Sequence, residues 1–279
     1  MRVIVTGASG LVGRAAVKRF GAIALTHADL DITDAKAVQR SVGNTDLVIN
    51  CAVIGVDACE GDPALARAVN VDGPANLARA AKSLLHFSSN YVFDGETEKF
   101  YAIEDEARPV NEYGRTKLAG EREVLRINPR SFVVRSSWIF GPGKPSFIST
   151  VHEKLRAGER VHAVADVWAS TTYVDDLVEA VSRIVEQRRF GLHHVVNAGV
   201  CSNETFAREA ARIVGADPSL VVPASTREMH RAPRPRYTPL AMSQPLRDWR
   251  IALEGSIRRS DGKDELRAGG LLLDEPRDE

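Results

Sequence analysis

Cysteine is scarce in this chain. Cys51, Cys59 and Cys201 are the only three thiols in 279 residues, too few and too far apart for a disulfide scaffold or a thiolate-rich metal site. A reducing compartment is expected, and no metal. Net charge is lacking as well: 37 basic residues balance 37 acidic ones. That balance gives no support for electrostatically driven nucleic-acid binding, although a local patch stays open. No apolar run reaches the roughly 20 residues that cross a bilayer. Strand-like sequence begins at Val3, which leaves no space for a signal peptide. The expectation is a cytoplasmic protein without a membrane or nucleic-acid partner, and no internal repeat divides it.

Short β-branched runs alternate with helix-compatible stretches. Strands are expected at 3–5, 23–25, 47–49, 84–88 and 132–134, and helices at 11–20, 34–41, 63–82 and 112–126. This rhythm implies an α/β fold with a doubly wound parallel sheet covered on both faces. Gly141-Pro142-Gly143-Lys144-Pro145 breaks it. Further pieces are expected at 146–157, 161–164, 174–185 and 194–197, with a helix from Asn203. Pro218, Pro223, Pro233, Pro235 and Pro239 then divide a loop-rich region, which suggests a small lobe built from late segments. Beyond about residue 255 the chain is charged and glycine-containing, and a flexible tail is expected over 256–279.

After the first strand comes Gly7-Ala8-Ser9-Gly10-Leu11-Val12-Gly13. Gly7 can make the turn, Gly10 permits close approach of a diphosphate, and Gly13 lets the helix pack near the strand. The helix-terminal N–H groups would meet the negative charge. Residues 1–140 are therefore expected to be mainly a Rossmann-type NAD(P)-binding domain, and 141–255 a mixed region with a return to that domain and a small substrate-binding lobe. The second strand ends in Thr26 and His27, without a carboxylate for an unphosphorylated ribose. NADPH is thus expected, with NADH possible. Asp31 and Ile32 can line an adenine pocket; equally, Asp31 or Thr33 can cap the next helix. His27 can approach a ribose phosphate or face solvent.

Tyr113-Gly-Arg-Thr-Lys117 puts a phenol and an ammonium four residues apart on one helix face. A nearby cation favours phenolate, so the pair is suited to acid–base chemistry; accidental surface spacing is the alternative. Ser88-Ser89-Asn90 follows a strand at the sheet's carboxyl edge, where Ser89 can hydrogen-bond a carbonyl oxygen while Tyr113 supplies a proton. Local capping would also explain either serine. No Gly-x-Ser-x-Gly elbow supports a hydrolase.

These motifs, with Asp29-Leu30-Asp31-Ile32, Val48-Ile49-Asn50-Cys51-Ala52, Tyr91-Val92-Phe93-Asp94-Gly95, Arg135-Ser136-Ser137-Trp138 and Arg234-Pro235, resemble the extended short-chain dehydrogenase/reductases over roughly 1–249. Within them the chain is similar to the dTDP-4-dehydrorhamnose reductase group of nucleotide-sugar 4-ketoreductases. The resemblance implies Ser89, Tyr113 and Lys117 as catalytic residues. It implies cofactor contacts at Gly7, Ser9, Gly10, Leu11, Val12, Gly13, Asp31, Ile32, Cys51, Ala52, Tyr113 and Lys117. It further implies that Ser89, Asn90, Tyr91 and Trp138 meet a nucleoside-diphosphate keto-deoxysugar, in a monomer or homodimer. Ser89 replaces the group's usual threonine, Asn90 its usual aspartate, and Thr171 a usual proline; the loop 52–56 is shorter and more apolar than the group's. Trp138 can instead be an ordinary buried aromatic, Arg234 and Arg236 can bind phosphate or sit in a solvated turn, and Asn70 can position Lys117 or satisfy buried backbone. A non-catalytic NADP-binding regulatory subunit is the competing implication, motivated by Asn90 and the shortened loop.

Overall fold

A computed structural model describes residues 1–229 and 231–269, with side chains through 261. From the start of the chain, β1 (Val3–Thr6) leads to α1 (Leu11–Phe20), β2 (Ile23–Leu25), α2 (Ala35–Val42) and β3 (Leu47–Asn50). Helices α3 (Val56–Gly61), α4 (Pro63–Arg67) and α5 (Gly73–Ala80) precede β4 (Leu84–Ser89), and α6 (Glu112–Ile127) precedes β5 (Phe132–Ser136). The later elements are β6 (Ile139–Phe140), α7 (Phe147–Arg156), β7 (Val161–Val164), β8 (Trp168–Ala169), β9 (Thr172–Tyr173), α8 (Val174–Glu186) and β10 (Gly191–His194). They are followed by α9 (Asn203–Val214), β11 (Val221–Ala224), α10 (Thr226–Met229), β12 (Tyr237–Thr238) and α11 (Trp249–Gly269).

Six strands form one parallel sheet in the order β10-β5-β4-β3-β1-β2. Its apolar runs split between the two faces by the two-residue period of a strand. Ile4, Val48, Leu84 and Val133 join Val38 of α2 and Leu77 of α5 on one side. Val5, Leu47, Ile49, Leu85, Phe132 and Val134 join Ala16 of α1 and Leu177, Val181 and Ile184 of α8 on the other. Full burial of each large aliphatic side chain contributes about 1.5–3 kcal/mol, so the strands are held between helical layers by their own alternation. The fold is the expected Rossmann-type α/β architecture. Strand order reverses between β1 and β3, which opens a crevice at their carboxyl ends.

The stretch expected as one helix over 63–82 is instead interrupted. Residues Ala68–Asp72 make a widened π-type turn, with the Gly73 N–H reaching the Ala68 carbonyl five residues back. Pro74 supplies the reason: it has no N–H for the Asn70 carbonyl, and its ring would collide with that carbonyl in a regular helix. Helix α2 is capped by Asp34, whose carboxylate accepts from the Lys36 and Ala37 N–H groups at 2.8 and 3.0 Å. Asp31 and Thr33, the expected alternatives, pair with one another. The strand expected at 194–197 is β10, three residues earlier.

A second cluster packs α7, α9 and α11 around Phe140, Phe206, Trp249, Leu253 and Ile257, beside the parallel pairs β7·β11, β8·β12 and β6·β9. The expected tail boundary at 256 falls inside α11, where Ser256 and Ile257 are buried. An apolar stripe invisible in the local composition ties this segment to Phe206 and Trp249. The remainder of that expected tail, 270–279 with Leu271-Leu272-Leu273, lies outside the described residues.

Candidate functional site

The crevice at the β1/β3 reversal is a cleft of about 360 Å³, lined by Gly7, Ser9, Gly10, His27, Asp31, Ile32, Cys51, Ala52 and Lys144, among others. Gly7 turns the chain with φ 68°, and a Cβ there would lie 2.5 Å from the Ala52 nitrogen. A Cβ on Gly13 would meet the Gly7 carbonyl oxygen at 2.3 Å. These two positions require glycine so that loop, helix and β3 can close on one another. Gly10 is open in front, its nearest neighbour being the Gly7 carbonyl at 3.4 Å. A diphosphate fits this cradle, because the first-turn N–H groups of α1 have no intrahelical acceptor. The side chains of Leu11 and Val12 turn away into the apolar clusters, so only their backbone is available to an anion.

At the adenosine end, the carboxylate nearest the end of β2 is not free for a ribose. Asp29 accepts from the Thr26 N–H and hydroxyl at 2.8 and 2.7 Å, hydrogen bonds that hold its carboxyl below the usual range. Asp31 is held low by the Thr33 N–H and hydroxyl. His27 and Lys144 bring basic groups to the same cleft. Lys144 was hidden in sequence within a Gly/Pro break and carried no local signal.

Ser89, Asn90, Tyr91, Tyr113 and Trp138 line one cavity of about 250 Å³ together with Val56, Ser88, Ser136, Ser137 and Ile139. Ser89 ends β4 and Tyr113 opens α6, so the strand and the helix bring the two hydroxyls to a common rim. Asn111 starts α6 by accepting from the Gly114 N–H at 2.8 Å. Tyr91 meets the Tyr113 ring edge-on, with centroids 6.0 Å apart. Burial pushes the Tyr91 phenol up, with the Arg234 guanidinium and the Trp138 indole opposing it. Trp138 has φ 37°, a left-handed backbone that is strained for an aromatic residue and is found where surroundings dictate it, often at functional sites. The hydroxyls of Ser88 and Ser137, two residues of this cavity wall, are buried without a hydrogen-bond partner.

Asn90 is 2 % exposed. Its amide donates to the Thr238 hydroxyl at 2.7 Å and accepts from Ser89 at 3.2 Å. It therefore orients Ser89 and ties β4 to the lobe strand β12. Asn70 accepts from the Ile54 N–H at 3.1 Å and donates to Thr116 at 3.1 Å; it braces the 52–56 loop and does not reach Lys117. Arg234 pairs with Asp57 at 2.8 Å in an adjoining cavity of about 290 Å³ that also includes Tyr91 and Trp138. Arg236 is exposed and lines a different cavity, beside Trp168.

One electrostatic expectation is corrected. The Tyr113 phenol is pushed up to about 12 by burial, with the Ser89 hydroxyl acting in the opposite direction. Lys117 does not draw it down, because its Nζ donates to the Phe87 carbonyl at 2.6 Å and lies 3.3 Å from His86 Nε2. Burial lowers Lys117 itself to about 8, against the pull of the Glu121 carboxylate. Glu121 follows Lys117 by one helical turn and forks onto Arg135 at 2.9 and 2.7 Å. Sequence reasoning missed His86 and Asn50 in this network. A histidine inside the otherwise apolar run Leu84-Leu85-His86-Phe87 was the available signal.

The family model described as the RmlD substrate binding domain matches residues 1–260. A dTDP-4-dehydrorhamnose reductase of Mycolicibacterium smegmatis is 44% identical over 277 residues, covering 92% of this chain and 85% of its own. Among solved structures, a dTDP-4-dehydrorhamnose reductase of Clostridium acetobutylicum has a TM-score of 0.87 at 33% identity, over 94% of this chain and 100% of that one. The Bacillus anthracis enzyme of the same name, in complex with NADP, has a TM-score of 0.87 at 30% identity, over 92% and 99%.

Proposed function

The chain belongs to the RmlD substrate-binding-domain family, and from that premise we propose that it is an NADPH-dependent reductase of a 4-keto group on a nucleoside-diphosphate 6-deoxyhexose, with dTDP-4-dehydrorhamnose as the leading substrate. The observation that carries the reading is the convergence of Ser89 and Tyr113 on one cavity, in a chain whose glycine-lined cleft at the strand-order reversal suits a diphosphate. Among the described residues no helix is long and apolar enough to cross a membrane, and we place the activity in the cytoplasm.

NADPH, held by Gly7, Ser9, Gly10, Asp31, Ile32, Cys51 and Ala52 and by the α1 N-terminus, would supply the hydride. Tyr113 protonates the developing alkoxide at O4, for which a phenol protonated at neutral pH is the required starting form. Ser89 donates to the same oxygen and stabilises its charge, which requires its hydroxyl to turn from the Asn90 amide oxygen that accepts it here. Lys117 holds the nicotinamide ribose and favours the tyrosinate left behind, which requires it to turn from the Phe87 carbonyl. Tyr91 and Trp138 shape the sugar pocket, and Asp57 presets Arg234 at its outer rim.

Incubation of the purified chain with NADPH and a panel of keto-sugar nucleotides tests the reading. Oxidation of NADPH with dTDP-4-dehydrorhamnose is expected, and Tyr113→Phe should lower turnover by about two orders of magnitude or more while still binding NADPH. Full turnover in that variant removes the assigned acid. Preference for NADH over NADPH by about a hundredfold, or about 2.7 kcal/mol, contradicts the cofactor assignment.

A further inference from the structure

His86 is 0% exposed in the middle of β4, on the sheet face that α6 covers, and each ring nitrogen has one polar neighbour. Asn50 Nδ2 lies 3.1 Å from Nδ1, and Lys117 Nζ lies 3.3 Å from Nε2. The orientation of the Asn50 amide follows from its other side. Its Oδ1 accepts from the Thr6 hydroxyl at 2.8 Å and from the Ala52 N–H at 3.1 Å. A flipped amide would set its NH2 against that backbone N–H, so the nitrogen faces His86 and donates to Nδ1. A neutral imidazole carries one proton, and with Nδ1 accepting it resides on Nε2. Nε2–H then points at Lys117 Nζ. An ammonium has three donors and no lone pair, whereas an amine has two donors and one lone pair. The amine satisfies both neighbours, donating to the Phe87 carbonyl at 2.6 Å and accepting from Nε2–H.

We propose that His86 is a positioning residue that stabilises the neutral amine form of Lys117 in the cofactor-free protein by donating its Nε2–H to the Nζ lone pair. The remaining groups around Lys117 agree with this state. Cys51 beyond β3 and Cys59 on α3 are thiols that burial pushes up, and so are uncharged. Tyr113, one turn earlier on α6, is a neutral phenol. Among the described residues Glu121, one turn later, is the carboxylate that acts on Lys117, and its two oxygens are taken by the Arg135 fork. Burial lowers Lys117 to about 8 and His86 well below its ordinary value, so two cations do not share the site. Above the Lys117 midpoint near pH 8 the neutral amine gives Tyr113 no cation to favour phenolate, and burial keeps the Tyr113 proton in place.

The inference takes Lys117 as a site residue from the reductase reading but concerns the free protein. Its test uses neither cofactor nor sugar, so the two can fail separately. In the isotopically labelled chain without cofactor, long-range 15N–1H spectra should show His86 as the Nε2–H tautomer at about pH 9. The 13Cε signal of Lys117 should titrate near pH 8, with the His86 resonances moving at the same midpoint. His86→Leu, which removes the donor, should raise the Lys117 midpoint by about one pH unit, a tenfold change in proton affinity. His86→Gln can offer an acceptor to Asn50 and an NH2 to Lys117, and should restore the midpoint. An Nδ1–H tautomer at pH of about 9, a wild-type Lys117 midpoint above about 10, or an unchanged midpoint in a folded Leu variant would overturn the proposal. The wild-type spectra decide the matter even if the Leu variant does not fold.

Discussion

Replacing Glu121 by Gln keeps the shape of the side chain and removes one charge from a buried pair. The Glu121 and Arg135 side chains are only 3% and 5% exposed, and their fork closes at 2.9 and 2.7 Å. In Glu121→Gln the guanidinium stays buried without its counter-charge, and the new NH2 confronts its donors. Breaking a buried pair in this way costs about 3–5 kcal/mol. Two neighbours soften the loss: the Phe93 ring, whose centroid lies 5.1 Å from the guanidinium carbon, and His194 Nε2 at 3.4 Å. The cation–π contact is worth about 0.5–2 kcal/mol, which places the expectation near 3 kcal/mol, toward the low end. At about 2–4 °C per kcal/mol for a chain of this size, Tm should fall by roughly 6–12 °C. Urea unfolding should show a lower midpoint with unchanged slope. The paired change Glu121→Leu with Arg135→Met removes both charges and should recover most of the loss, to within about 1 kcal/mol of the original. Because the Glu121 carboxylate raises Lys117, the Lys117 midpoint in Glu121→Gln should move below about 8. A single variant within about 0.5 kcal/mol of the parent, or a double variant no more stable than the single, would refute the argument.

Gly13→Ala places a Cβ 2.3 Å from the Gly7 carbonyl, so NADPH affinity by fluorescence titration should drop at least about tenfold, with a stability loss of about 1–3 kcal/mol; unchanged affinity would show that the loop is not held as described. Lys144→Ala should weaken NADPH binding by about two- to fivefold at low salt, and the difference should shrink as ionic strength rises; a salt-independent difference would point to packing instead of charge. Asn90→Asp buries a carboxylate where the amide donated to Thr238, and should lower the unfolding free energy by about 1–3 kcal/mol together with turnover. Equal stability in urea would count against the Asn90–Thr238 tie.

Much of the architecture was legible because its causes are local. The short, continuous apolar runs Val3-Ile4-Val5 and Leu47-Val48-Ile49 suit a strand buried on both faces, and Gly7 and Gly13 marked where the backbone must pass another backbone. Tyr113 and Lys117 needed only the pitch of a helix to fall on one face. The helix expected over 63–82 failed at a point that sequence also held: Pro74 denies the Asn70 carbonyl its donor, yet whether the chain bends, breaks or widens depends on what packs against it. The end of the fold was misjudged because Ile257 earns its burial from Phe206 and Trp249, distant in sequence and invisible to local composition. The protonation chemistry of the site belongs entirely to the tertiary structure. Spacing sets the distance from Lys117 to Tyr113, but the direction of the amine is set by the Phe87 carbonyl and His86 on a neighbouring strand. Hydrogen bonds and desolvation depend on which groups converge in space, and no linear pattern in the chain records that convergence.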